Sequence, residues 1–484
     1  MLKRFSVYNI SVFVPVIISF FLFPIFTNYL TPSEYGIRAI ILMAVLLFNI
    51  FSDYGTNWVI RYRYFRFKNE DQRSVYLTSI LVVSLILKII FSLLLFALKD
   101  LVFPIFFSQW TDYYSDLLDI QILIFFLTFI NNIIYPVLIL EKESVKYSSL
   151  LLGSFFINSG VSLLLIIKFD FGLSSLFYGE LVRGIFYLII SFVFLKGRLK
   201  YGFTYSVFRD IFRIGLPAVP KNLFGQIKTN INKYFLSIYM GVGDLGLFQK
   251  SEFIFKALMG FERSFSSTAA PKNIELLTKS KEDLDTGKHT VAFMYFISLL
   301  LIISIFFMRD VFILLNVNES FLDAAKFAPL FGFSVLFSGF SMMFSNNILV
   351  SGKTYFYTIR SIITGIAAII LNIILIPLYG VFGAIYATIL CAALSLSIEI
   401  FISEVILNYK TKINYWIWIF IIIYQAAMFI LNESLIIDLF YLKLLFVLFY
   451  FILIILTDFL LVKAINWKEV RIKFVQIIGQ SNIS

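Results

Sequence analysis

The chain has 484 residues and a formal net charge of +11, yet only 14% of its residues are charged, 60% are apolar and the mean hydropathy is +0.92. A soluble chain carries about 25% charged residues, so this composition excludes an ordinary soluble enzyme and indicates an all-α polytopic membrane protein. Apolar runs of roughly 20 residues, in place of alternating segments of about 10, exclude a membrane β-barrel.

Fourteen transmembrane helices are predicted, at residues 7–30, 36–58, 75–98, 117–140, 147–168, 173–195, 212–240, 245–268, 289–309, 325–349, 355–378, 381–406, 414–432 and 439–462. The first lacks a small-residue cleavage pattern and reads as a span rather than a signal peptide. The N-terminus, alternate loops and C-terminus hold 26 Lys and Arg, against 5 in the opposite loops. That asymmetry places both termini in the cytoplasm, and it accounts for the positive charge without nucleic acid. The basic loop at 61–73 reads as a topology anchor on anionic membrane lipid. Cys391, the single cysteine, excludes an intramolecular disulfide and a cysteine metal cluster, and reads as a packing residue. His289, the single histidine, falls at a loop-to-helix junction, where a surface or capping role is expected.

Nine basic residues lie within or near the ends of spans: Lys88, Arg183, Lys221, Lys228, Lys233, Lys250, Lys256, Arg263 and Lys443. Lys250 and Lys443 are close enough to span ends to snorkel. The seventh span is amphipathic at ~100° per residue, with Leu223, Phe224, Ile227, Ile231 and Phe235 on one side. The other side holds Lys221, Asn222, Gln226, Lys228, Thr229, Asn230, Asn232 and Lys233. Lys228 falls near mid-depth, where a lysine costs roughly 2.5–3.5 kcal/mol unless it faces water or protein. The seventh span is therefore expected to line a wet, cationic central cavity. The eighth span adds a stripe of Gln249, Glu252, Lys256, Gly260, Arg263 and Ser267. Its Glu252 and Lys256 stand i,i+4, the spacing of a structural ion pair.

Two patches repeat. LTPSEYG at 30–36 matches MGVGDLG at 240–246 at an offset of 210, and FDFGLSSLFY matches LYGVFGAIY at 208. The period holds six spans, so the copies have parallel topology. The expected architecture is two parallel six-helix repeats around a central cavity, residues 1–200 and 201–408, plus two extra helices and a tail in 409–484. Pro15, Pro24, Pro217 and Pro220 punctuate the first helix of each lobe, as local bends or as hinges. No GxxxxGK[ST] or HExxH motif is present, so no cofactor and no metal are expected. Energy then comes from a proton or sodium gradient, the membrane potential or consumption of product. The coupling-ion candidates are Asp53, Glu180, Glu252 and Glu399, with Glu404 and Asp458, each also readable as a structural carboxylate.

LTPSEYG at 30–36 with FSDYG at 51–55, and GLPAVPKNL at 215–223 with GVGDLGLFQK at 241–250, resemble the polysaccharide-synthesis branch of the multidrug/oligosaccharidyl-lipid/polysaccharide exporter superfamily. The resemblance spans essentially the whole chain. It implies a non-enzymatic flippase in the bacterial cytoplasmic (inner) membrane, moving polyprenyl-diphosphate-linked oligosaccharide to the outer leaflet by alternating access, with a polysaccharide polymerase as a partner. The substrate ligands expected are Lys221, Lys228, Lys233, Lys256, Arg263, Asn222, Gln226 and Asn232. Lys228 and Lys256 would hold the diphosphate, and the amides would meet sugar hydroxyls. A peptidoglycan-precursor flippase fits the same cationic span. A drug/cation antiporter fits it less well, and a membrane glycosyltransferase or polymerase would need a larger outside domain.

Overall fold

The computed structural model describes residues 2–67, 69–106, 111–253, 255, 277, 285–409, 415–435 and 440–458. The helices are α1 (Leu2–Thr27), α2 (Pro32–Asp53), α3 (Thr56–Arg63), α4 (Glu70–Phe106), α5 (Asp112–Leu127), α6 (Asn131–Leu140), α7 (Ser144–Phe169), α8 (Ser174–Leu195), α9 (Ser206–Asp210), α10 (Val219–Tyr239), α11 (242–253), α12 (Asp285–Leu314), α13 (Leu322–Val350), α14 (Tyr355–Tyr379), α15 (Val381–Ile400), α16 (Tyr415–Leu435) and α17 (Phe440–Thr457). Among the described residues there is no strand. Ten helical stretches are long and apolar enough to cross a membrane, with shorter apolar stretches at Phe13–Thr27 and Trp418–Glu433. The chain is an all-helical, multi-pass membrane protein. The eighth expected span lies mostly outside the described residues, and Lys256 and Arg263 with it. α10 is absent from the ten because its polar side chains dilute its hydropathy, the property that singled it out in the sequence.

The chain forms two compact units. One comprises Met1–Phe261, Phe312–Phe327 and Tyr355–Cys391; the other comprises Glu262–Val311, Ala328–Thr354 and Ala392–Ser484.

In the first unit, Val59, Ile80, Ile130, Ile133, Val137 and Leu150 meet in one buried cluster. α4 buries Leu77, Ile80 and Val83 while exposing Ile86, Ile89, Ile90 and Leu93. An exposed apolar stripe on a helix this long is a lipid-facing surface. α2 starts with a capping box: Glu34 N–H donates to Thr31 Oγ1 at 3.3 Å, and Thr31 N–H donates to Glu34 Oε2 at 2.8 Å. Its first turn crosses the first turn of α11 at backbone contact. A Cβ on Gly36 would stand 1.8 Å from the Val242 carbonyl oxygen, and one on Gly246 would stand 1.8 Å from that of Pro32. The contact is reciprocal, and its residues are related by the 210-residue offset of the sequence repeat.

The start of α10 is fastened just as closely. A π turn (Ile211–Gly215) and a 3-10 turn (Leu216–Ala218) lead into it. A Cβ on Gly215 would fall 2.2 Å from the Tyr54 carbonyl oxygen, next to Gly55 at φ +67°. Pro217 sits in the 3-10 turn and Pro220 at the second position of α10, so both fall at the junction between these tighter and wider turns and the α-helix. These prolines therefore set the start of α10 instead of bending its interior, whereas Pro15 and Pro24 lie inside α1. Immediately upstream, Asp210 accepts hydrogen bonds from Arg63 Nε (2.8 Å), Arg63 Nη2 (2.6 Å) and the Tyr76 hydroxyl (2.7 Å).

In the second unit, α16 runs parallel to α12. Gln425 Nε2 donates to the Ser298 carbonyl at 2.7 Å, and Asn432 Nδ2 donates to that of Ile305 at 3.0 Å. α17 runs antiparallel to α12, with Phe446 stacked on Phe306 and Lys443 Nζ 2.7 Å from Asp310 Oδ2. Lys443 thus has an ionic partner and does not rely on snorkelling.

Gly36→Ala and Gly246→Ala each place a methyl group where a carbonyl stands. Each is expected to cost about 1–3 kcal/mol in detergent unfolding, while Gly160→Ala, where nothing lies within 4 Å of the new Cβ, costs nothing. For Asp210, burial opposes the charged form, but hydrogen bonds from Arg63 and Tyr76 prevail and hold its carboxyl below the ordinary value. A depressed folded pKa stabilises the fold above the unfolded value, about 3.9, and that contribution is lost as pH falls through the folded value. Acid unfolding followed by tryptophan fluorescence is therefore expected to be less steep below about pH 4 in Asp210→Asn than in wild type.

Candidate functional site

α10 rests on α14 in parallel, through glycines that admit large side chains. Phe224 covers Gly365, and Met240 covers Gly380. This packing splits the polar side of α10 into two flanks. At ~100° per residue, Lys221, Lys228 and Asn232 lie within about 40° of one another beside Phe224, while Gln226, Asn230 and Lys233 lie on the far side.

The first flank faces α14 and α15. Lys221 Nζ stands 5.3 Å from the Trp58 ring centroid and 5.2 Å from that of Tyr357. The Arg360 guanidinium, 5.5 Å over the same Tyr357 ring, is near enough to repel both Lys221 and Lys228. Lys228, halfway along α10, forms no ion pair or hydrogen bond with a described residue. Asn232 is buried and donates from Nδ2 to Thr388 Oγ1 at 3.3 Å. Like charges converging on half-buried positions are costly, and an oxyanion would stabilise this arrangement.

The second flank is internally satisfied. Lys233 Nζ donates to Asn230 Oδ1 at 2.9 Å and pairs with Glu252 Oε2 at 3.5 Å. Asn230 Nδ2 donates to Gln226 Oε1 at 3.0 Å. Glu252 thus has a cationic partner on the neighbouring helix α10, and its expected partner Lys256 lies outside the described residues. Asn222 is exposed.

Of the eight expected ligands, the structure brings Lys221, Lys228 and Asn232 together on one flank, and Gln226 and Lys233 on the other. Arg360 was counted from sequence as a loop charge; the structure places it in the second turn of α14, beside those lysines. Its helix carries the signal that could have found it: Tyr357, Arg360, Ser361 and Thr364 form a polar stripe at helical spacing. Lys250 was expected at an interface. It stands 3.2 Å over the Tyr35 ring, with Phe23 and Phe253 also within cation–π range.

The expected coupling carboxylates have protein partners. Asp53 pairs with fully buried Lys88 at 3.2 Å and accepts from Asn132 (2.7 Å) and Asn49 (3.1 Å). Glu180 pairs with Arg38. Glu399, in the second unit, is buried and accepts from the Ser341 hydroxyl. Among the described residues no cluster of His, Cys, Asp or Glu could hold a metal.

The polysaccharide biosynthesis protein family matches residues 25–326, more than half of the chain. The capsular polysaccharide biosynthesis protein CapF of Staphylococcus aureus is 22% identical over 280 residues, 56% of this chain and 68% of CapF. The fold is shared with the lipid II flippase MurJ in an inward closed conformation, with a TM-score of 0.72 and 16% identity over 93% of this chain and 98% of MurJ. It is shared with an inward-facing multidrug resistance MATE transporter of the MOP superfamily at 0.62 and 14%, over 84% and 95%. A Pyrococcus furiosus MOP transporter described as having a binding pocket of reverse polarity aligns at 0.56 and 15%, over 84% and 96%. The family match covers more than half of the chain, and the capsule-synthesis relative and the shared transporter fold accord with it: the chain belongs to the polysaccharide biosynthesis protein family.

Proposed function

We propose that the protein translocates polyprenyl-diphosphate-linked oligosaccharide repeat units from the cytoplasmic to the outer leaflet for surface polysaccharide synthesis. Transport proceeds by alternating access of the two six-helix lobes. Both termini face the cytoplasm of a bacterial inner membrane. The observation that carries this reading is the Lys221–Lys228–Arg360 cluster, with no carboxylate within ion-pair distance of either lysine among the described residues. A cationic drug would meet repulsion there, whereas a diphosphate offers several oxygens to a set of ammonium and guanidinium donors. Trp58 and Tyr357 provide aromatic faces beside the same charges, suited to a sugar or to the polyprenyl chain. The transporter with a pocket of reverse polarity is a precedent for this fold with an altered pocket charge.

Lys228 and Lys221 act as diphosphate ligands, with Arg360 completing the set. Asn222, exposed on the same helix, is offered to hydroxyls, whereas Gln226 is engaged by Asn230 on the other flank. Lys233 has a second role, tying α10 to α11 through Glu252. The paired carboxylates Asp53, Glu180 and Glu252 serve first as counter-charges within the bundle.

The test uses proteoliposomes holding labelled polyprenyl-diphosphate oligosaccharide, with exposure of the label to an outside glycosidase as the signal. Lys228→Ala and Arg360→Ala are each expected to lower the rate about 10–100-fold, the value of a charge-assisted contact, with normal insertion and unfolding. Lys228→Arg is expected to retain part of the activity. Equal rates for wild type and Lys228→Ala would remove the assignment; faster exposure of a peptidoglycan precursor than of the oligosaccharide would change the cargo. Lys88→Ala is expected to act differently. It leaves Asp53 without its buried cation and lowers unfolding stability by about 3–5 kcal/mol.

A further inference from the structure

The first unit holds a second basic feature, away from the residues assigned to transport. A cavity of about 360 Å³ is walled by α1, α5, α6, α7 and α8, with Asn131, Tyr135, Ser154, Asn158, Arg183 and Tyr187 among its lining. Arg183 sits near the middle of α8, a helix apolar enough to span the membrane. No described residue pairs with it or hydrogen-bonds it; the Tyr135 and Tyr187 side chains line the same cavity, and Glu180, one turn before it, is paired with Arg38. Asn131 Oδ1 and Asn158 Oδ1 are buried and accept no hydrogen bond from a described residue. An arginine at mid-helix costs roughly 2.5–3.5 kcal/mol on insertion scales, and intramembrane charges without a protein partner mark binding sites or wet pathways.

The chemistry of this wall is mixed. A planar guanidinium offers five donors arranged for a carboxylate or phosphate. The two asparagine amides supply donors and acceptors, the pattern that hydroxyl groups satisfy. Tyr135 and Tyr187, with ring centroids 5.5 Å apart, give an aromatic surface against which an aliphatic ring face packs. A simple inorganic anion uses only the arginine, and a neutral sugar leaves its charge uncompensated.

We propose that this cavity binds a carboxylate-bearing sugar, the carboxylate on Arg183, the hydroxyls on Asn131 and Asn158, and the ring against Tyr135. Such a site would favour acidic sugars. It stands independently of the diphosphate cluster and of the flippase reading, because it is tested with a free sugar.

The single native cysteine makes a direct assay accessible. In a Cys391→Ser background, Ser154→Cys places a thiol on the cavity wall of the full-length protein in detergent, and maleimide labelling reports its access. Glucuronate at about four times its dissociation constant is expected to slow labelling about fivefold. Glucose and acetate at the same concentration are expected to leave it unchanged. Arg183→Gln should weaken glucuronate protection about tenfold or more, and Arg183→Lys should keep part of it. Equal protection by acetate would make this a plain anion site, and equal protection by glucose a neutral sugar site; either overturns the proposal. Absence of protection by all three, with wild-type Arg183 and unliganded labelling proceeding, overturns it as well. The wild-type arm decides even if an Arg183 variant fails to fold.

Discussion

Positive charge in a low-dielectric bundle is the constraint on which this structure turns. A buried cation must find a counter-charge, reach water or be lost from the design. The described helices meet that requirement repeatedly: Lys88 with Asp53, Arg38 with Glu180, Lys233 with Glu252, Lys99 with Asp119 and Lys443 with Asp310. Against this background, the two lysines of α10 that face α14 stand, like Lys250 and Arg183, without a carboxylate partner among the described residues. Arg360, the charge that acts on both α10 lysines, has the same sign. A fold able to neutralise five other cations has left these two without a carboxylate among the described residues, an arrangement that a bound anion would stabilise.

Holding such a cluster requires a rigid helix. α10 begins at a backbone contact with the Tyr54–Gly55 turn, is braced through Asp210 to Arg63 and Tyr76, and packs along α14 by way of Gly365 and Gly380. The helix that follows crosses α2 through Gly36 and Gly246. Each contact uses a glycine to bring backbones together without an intervening side chain, the packing mode suited to a bilayer, where burying apolar side chains yields little. The cationic flank is thus positioned by main chain on several sides.

Much of this could be read from the chain alone. Apolar runs locate the helices, because each must satisfy its own backbone in lipid. The 210-residue repeat pointed to Gly36 and Gly246, which meet the opposing carbonyls of that same repeat. The polarity of residues 219–239 showed that α10 could not face lipid on every side. What the sequence left hidden depends on which helices are neighbours. No periodicity pairs Lys233 with Glu252, because that pairing depends on how α10 and α11 cross. Arg360 was hidden by a boundary: at the edge of an apolar run it is indistinguishable from a loop charge until the helix is seen to start at Tyr355. The division of α10 into a satisfied flank and an unsatisfied one follows from the path of α14.

Arg183 extends the same reasoning. Its helix is apolar enough to span the membrane, and the carboxylate one turn before it, Glu180, is paired with Arg38. It is tolerable only because five helices leave a cavity beside it. A carrier for a neutral glycan would gain more from an apolar residue here, which would fill the space and remove the desolvation penalty. Retaining an arginine in a hollow lined by amides and tyrosines is physically consistent with a ligand that brings its own negative charge and its own hydroxyls. On the proposed function, the α10 cluster would recognise the diphosphate that such cargoes share, and the Arg183 cavity would discriminate among the sugars attached to it.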